Sequence, residues 1–223
     1  MKMGAFDSGI GGTTILEAVK ERLPNEEYNY IADSKNCPYG EKAEDELYSI
    51  VKNNVNELKK WGAKIVVVAC NTATVRCIDK LRDEFKGIAF VGTEPAVKVA
   101  LSSGAKKILV LATPNTIESE RMHLLVDGNS GVQVDLRACP GLAETIEKYY
   151  EKDSRKIKEK LNELLVKDET YDAVVLGCTH YPLVKNEIQE FYPNARMVDS
   201  SVGVAKQVKA EVQKIEDKNE LEK

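Results

Sequence analysis

The sequence predicts an α/β protein of two similar lobes, each built on a parallel sheet. Three observations lead there. Short apolar runs alternate with amphipathic helical segments along the whole chain. Several runs are continuous and β-branched, such as IVVVAC at 65–70, which suits strands buried on both faces. The pattern also begins again near the middle. The strands at 2–8 and 107–113 start 105 residues apart, and AKIVVVACNT and YDAVVLGCTH set Cys70 and Cys178 108 residues apart. Near-equal offsets of this kind imply an internal repeat.

In chain order, 2–6 is an apolar strand that stops at Asp7-Ser8-Gly9. Residues 13–23 form a helix with Ile15, Leu16, Val19 and Leu23 on one face. A strand at 28–32 leads into the turn-rich stretch 33–40, a loop whose Tyr and free backbone groups can close over a small ligand. A long helix covers 43–61, a strand 64–69, a helix 73–85 and a strand 88–92. The second half gives a strand at 107–112, a helix at 116–125, a strand at 133–137 and helices at 142–150 and 154–165. A strand at 173–176, a helix at 184–191 and a short strand at 196–199 complete it. The tail 208–223 is charged, and the expectation is a helix that frays. No linker separates the lobes, so they should join directly near residues 95–98 and 198–203: lobe one is 1–96 completed by 199–223, and lobe two is 97–198.

The 223 residues carry 32 Lys+Arg against 36 Asp+Glu, a net charge of −4. Neither the basic excess of a nucleic-acid binder nor a polybasic membrane anchor is present. No apolar run approaches the roughly 20 residues of a membrane span, and no signal peptide is visible, so a cytoplasmic protein is expected. Five cysteines are an odd number, unsuited to a disulfide framework, and each has to be considered singly.

Ligands of parallel α/β sheets bind beyond the carboxyl ends of the strands. Four segments lie there: 7–9, 70–72, 113–116 and 178–180. A Cys ending an apolar strand is ordinarily a small buried residue. Cys70 and Cys178 differ because hydrogen-bonding residues follow each at once, whereas Cys37, Cys77 and Cys139 lack that setting. If the lobes face one another, two thiols confront each other across a cleft, as inversion at one carbon requires. Asp7 can cap the following helix or act in the site. The glycines of 7–12 offer backbone N–H groups to an anion but do not make a dinucleotide fingerprint. His180, one of two histidines, can tune the neighbouring thiol or be structural. A zinc site lacks a matching C-x-x-C or H-x-x-x-H partner, so no metal is expected.

Five motifs stand in order: DSGIGG at 7–12, PYG at 38–40, CNTA at 70–73, EPA at 94–96 and GCTHYP at 177–182. Together they resemble the glutamate racemases of the cofactor-independent aspartate/glutamate racemase family. The resemblance runs from residue 1 to about 199, and GCTHYP is its most specific part. It implies two flavodoxin-like lobes related by pseudo-two-fold symmetry, with the active site in the cleft between them. It implies no pyridoxal phosphate, metal or nucleotide, and a homodimer.

The resemblance further implies that Cys70 takes the α-proton from D-glutamate and Cys178 from L-glutamate. Asp7 matches the acidic helper of Cys70, and His180 the helper of Cys178. Glu147 falls where the family carries a further acidic helper, although its surroundings, GLAETIEK, depart from the usual apolar run. Ser8, Tyr39, Gly40, Asn71, Thr72, Thr116 and Thr179 match substrate-binding positions. The implied product, D-glutamate, feeds peptidoglycan synthesis. An aspartate racemase is the nearest alternative, but such relatives commonly carry Glu where His180 stands. A silent amino-acid-binding protein would be favoured only if one of the two cysteines were missing, and a thiol-redox role lacks a C-x-x-C.

Overall fold

The computed structural model describes residues 1–127, 131–167 and 169–221. The first half gives β1 (Lys2–Asp7), α1 (Thr13–Arg22), β2 (Glu27–Ala32), α2 (Glu44–Trp61), β3 (Ile65–Val68), α3 (Asn71–Glu84) and β4 (Ala89–Gly92). The second gives α4 (Val97–Ser102), β5 (Lys107–Ala112), α5 (Pro114–Ile117), α6 (Glu120–Val126), β6 (Gln133–Ala138), α7 (Leu142–Tyr149) and α8 (Ser154–Leu164). It ends with β7 (Ala173–Leu176), α9 (Lys185–Gln189), β8 (Arg196–Val198) and α10 (Ser201–Leu221).

The strands form two four-stranded sheets of matching order, β2-β1-β3-β4 and β6-β5-β7-β8. Every pairing is parallel, with Met3 opposite Tyr28 and Ile65 in one sheet and Ile108 opposite Val134 and Ala173 in the other. The repeat expected from the sequence is therefore a repeat of topology, and β3 and β7, which carry the cysteine turns, occupy equivalent central positions.

Helices cover both faces of each sheet, because strands apolar on both sides leave no face for water. In the first sheet, α2 and α3 bring Leu47, Val51, Val55, Leu58, Ile78 and Leu81 to one face. Ile15 and Val19 of α1 and Val204, Val208 and Val212 of α10 cover the other. In the second sheet, α7, α8 and α9 pack on one face and α4 and α6 on the opposite one. Helix α2 is well specified: acidic residues fill its first turn, Lys59 and Lys60 its last, and Gly62 ends it at φ 97°. Its four core side chains are fully buried, and each contributes about 1.5–3 kcal/mol.

Several local expectations need correction. The helix expected at 116–125 is two helices, because Ser119 accepts a hydrogen bond from Met122 N at 3.1 Å and starts α6 afresh. The helix expected at 184–191 is a 3₁₀ turn, Tyr181–Val184, followed by the shorter α9. The tail helix starts at Ser201, seven residues earlier than expected, and extends to Leu221, while residues 222 and 223 lie outside the described residues. Packing of small apolar residues against α1 explains this, since a charged helix with one buried stripe needs a partner to persist.

Candidate active site

Both cysteine turns sit at the carboxyl ends of central strands. Cys70 ends the β3 segment at the N-cap of α3, where the nearby backbone N–H groups of Thr72 and Ala73 and the Ser8 hydroxyl favour its thiolate. Cys178 follows β7, where the nearby N–H of His180 does the same. Burial pushes both thiols well above their ordinary range, with the Asp7 charge adding to it, and a negative charge on Cys70 raises Cys178 further. The two sulfurs are thus electrostatically coupled.

Asp7 is fully buried at the end of β1. Its Oδ2 accepts hydrogen bonds from Gly9 N and Gly12 N, both at 3.1 Å. Its Oδ1 accepts one at 3.0 Å from Thr179 Oγ1 of the facing lobe. Burial raises its carboxyl above the ordinary value, while the His180 charge and these hydrogen bonds pull it back. Asp7 thus orders its own turn, as a cap would, and also reaches across the cleft.

His180 is fully buried, with Nδ1 3.9 Å from Cys178 Sγ and Nε2 2.8 Å from Glu147 Oε2. Glu147 also accepts from Ile10 N at 2.8 Å and from the Ser34 hydroxyl. Burial pushes the Glu147 carboxyl up, but the hydrogen bonds from His180, Ser34 and Ile10 outweigh it and hold it at about 2. A chain of contacts therefore runs from thiol to imidazole to carboxylate, and it ends on backbone of the other lobe.

The remaining expected residues divide into three groups. Asn71 and Thr72 begin α3; Asn71 Nδ2 donates to Thr93 O at 3.1 Å. Thr72, Thr113 and Thr116 form a buried cluster of hydroxyls, with Oγ1 separations of 2.9, 2.9 and 3.3 Å. Gly40 lies against that cluster, since a Cβ there would stand 2.5 Å from Thr113 Cβ. Tyr39 is buried, but its hydroxyl is taken up by Asp33 at 2.6 Å and Asn54 at 3.0 Å and does not meet either thiol by hydrogen bond.

Three residues enter the site without having been singled out in the sequence. Ser34 holds Glu147, Thr113 completes the hydroxyl cluster, and Cys37 lies beside Glu147 and His180. Ser34 stood in the loop 33–40 and Thr113 in the strand-end segment 113–116, neither set apart from its neighbours there. Cys37 stood in a loop noted as a possible ligand cover, but nothing in its neighbours marked the thiol itself.

The pattern of the Asp/Glu/hydantoin racemase family matches residues 13–208. A glutamate racemase of Clostridium acetobutylicum is 40% identical over 220 residues, covering 95% of this chain and 84% of the relative. The protein belongs to the Asp/Glu/hydantoin racemase family. Among solved structures, Escherichia coli glutamate racemase in complex with L-glutamate and the activator UDP-MurNAc-Ala superposes with a TM-score of 0.82. It is 30% identical, and the match covers 93% of this chain and 80% of that one. Francisella tularensis glutamate racemase in complex with D-glutamate also gives 0.82, at 28% identity, covering 96% and 81%. This racemase's two-lobed architecture is thus that of enzymes seen with either enantiomer bound. No helix among its described residues is long and apolar enough to cross a membrane.

Proposed function

We propose that this racemase interconverts L- and D-glutamate without a cofactor, using Cys70 and Cys178 as the two proton-transfer groups. The observation that carries this is the equivalent placing of the two thiols, each after the third-ranked strand of a matching sheet, on lobes that touch through Thr179 and Asp7. The unit of function is the pair of lobes, 1–96 with 199–223 and 97–198.

An α-hydrogen flanked by a carboxylate is a very weak acid, so the site has to stabilise carbanion-like charge unaided. Neutral donors from Asn71, Thr72, Thr179 and the backbone N–H groups of the glycine turn supply that stabilisation. Ser8, Tyr39, Gly40 and Thr116 shape the remainder of the substrate pocket. In the working state, with substrate bound, one sulfur is thiolate and the other thiol. The thiolate takes the α-proton from one face while the thiol delivers its proton to the other. Turnover in one direction thus leaves the opposite sulfur charged.

Each thiolate receives backbone N–H groups, which offset part of the burial that opposes ionisation. Asp7 assists Cys70, and His180 assists Cys178. Glu147 acts through His180 as a positioning residue, fixing the ring that faces Cys178. The protein works as a cytoplasmic homodimer, and its D-glutamate supplies peptidoglycan synthesis.

The test is incubation with L-glutamate in D2O without pyridoxal phosphate, following optical rotation and loss of the α-hydrogen NMR signal together. Both should decay in the wild type. Cys70→Ser and Cys178→Ser should each abolish net racemisation while circular dichroism remains native. Full turnover by either variant would eliminate the two-thiol mechanism, and decay with aspartate alone would reassign the substrate.

A further inference from the structure

We propose that Cys37, Glu147 and His180 form a capture site for a soft divalent cation of the Zn2+ type, and that occupation of this site arrests the enzyme. The three side chains come from distant parts of the chain: the loop after β2, helix α7 and the turn after β7. Their ligand atoms nonetheless lie within 4.8 Å of one another. Tetrahedral zinc with bonds of about 2.0–2.3 Å sets its ligands roughly 3.5 Å apart. The cluster needs to contract by only about 1 Å at its widest to reach that spacing.

The donor set selects the class of ion. One thiolate, one imidazole nitrogen and one carboxylate oxygen are borderline-soft ligands suited to zinc or cobalt. Magnesium and calcium prefer all-oxygen sites. Three protein ligands leave a fourth position for water. The supporting groups of the carboxylate are already in place: Ile10 N–H and the Ser34 hydroxyl hold Glu147. The charges of Glu147, Asp7 and Glu144 all act on that sulfur. They disfavour a bare thiolate, and for the same reason they favour a bound cation.

Binding needs no oxidant. The Cys37 thiol proton passes to solvent, the neutral His180 ring carries its one proton on Nδ1, and sulfur–metal, nitrogen–metal and oxygen–metal bonds replace three metal–water bonds. His180 and Glu147 are then held by the metal, so the ring can no longer serve Cys178. Cys37 itself takes no part in the proposed proton transfers.

The experiment uses chelator-stripped protein with Co2+ as a spectroscopic probe and Zn2+ as inhibitor. Wild type should develop a near-ultraviolet thiolate-to-cobalt band, and Zn2+ should inhibit racemisation. Cys37→Ser should lose the band and, relative to its own metal-free rate, require at least tenfold more Zn2+ for half-inhibition. A band of undiminished strength in Cys37→Ser would overturn the proposal and assign the metal to Cys70 or Cys178. An absent band in wild type, or equal inhibition of both proteins, would also overturn it. The cobalt band does not depend on catalysis, so it decides the question even for a protein inactive on glutamate.

Discussion

Replacing Glu147 by Gln keeps the shape of the side chain and removes the charge paired with His180. The carboxyl is held at about 2 against an ordinary 4.5, which corresponds to ~3 kcal/mol at 1.36 kcal/mol per pH unit. The side chain keeps 13% of its surface exposed, and solvent screening reduces the expected loss to about 2 kcal/mol at pH 7. The folded-state value is depressed, so this contribution is present above pH 4.5 and is lost as pH falls through 2. Urea unfolding should therefore separate wild type and Glu147→Gln by about 2 kcal/mol at pH 7, and by less at pH 3.5. If the same interaction steadies His180 in the transition state, kcat/KM falls roughly 30-fold, since 1.4 kcal/mol is a factor of ten. The fall must be equal in both directions, because the enantiomers have equal free energy; only kcat and KM taken singly can differ. Unfolding free energies and kcat/KM both within twofold-equivalent error of wild type would refute the argument that the hydrogen bonds of the Glu147 carboxylate stabilise the site.

Gly11→Ala should wedge the lobes, because its Cβ would stand 2.6 Å from His180 N and 2.7 Å from Nδ1. Overpacking of this kind costs about 1–3 kcal/mol, and we expect a Tm lower by several degrees with a raised KM for glutamate. Thr113→Val should break the hydroxyl cluster and lower stability by about 1–2 kcal/mol in urea titration, since Thr72 and Thr116 stay buried with fewer partners. Burial pushes the Cys70 and Cys178 thiols up, which favours their protonated forms in the free enzyme. Iodoacetamide labelling followed by mass spectrometry should be slow at pH 7 and accelerate beyond pH 9; rapid labelling of either at pH 7 would contradict the raised values.

The strands were legible because burial on both faces forces continuous apolar runs, and 107–112 and 173–176 coincide with β5 and β7. The helical punctuation was less so. Ser119 as a cap cannot be told from Ser119 in mid-helix until Met122 N is seen to donate to it. Helix α10 shows one small-residue stripe, Val204, Val208 and Val212, whose meaning depends on α1 lying opposite. The two thiols were legible because each breaks an apolar run with polar residues at repeated spacing. Cys37 was not. Its significance rests on Glu147 and His180, 110 and 143 residues further along the chain, and no local pattern encodes that meeting.

The repeat also explains how the lobes lock together. At an offset of 108, Asn71 and Thr72 correspond to Thr179 and His180. Each cysteine turn touches the end of the opposite lobe's leading strand: Thr179 reaches Asp7, the last residue of β1, and Thr72 reaches Thr113, just after β5. The contacts are equivalent in place and different in chemistry, a carboxylate on one side and a hydroxyl on the other.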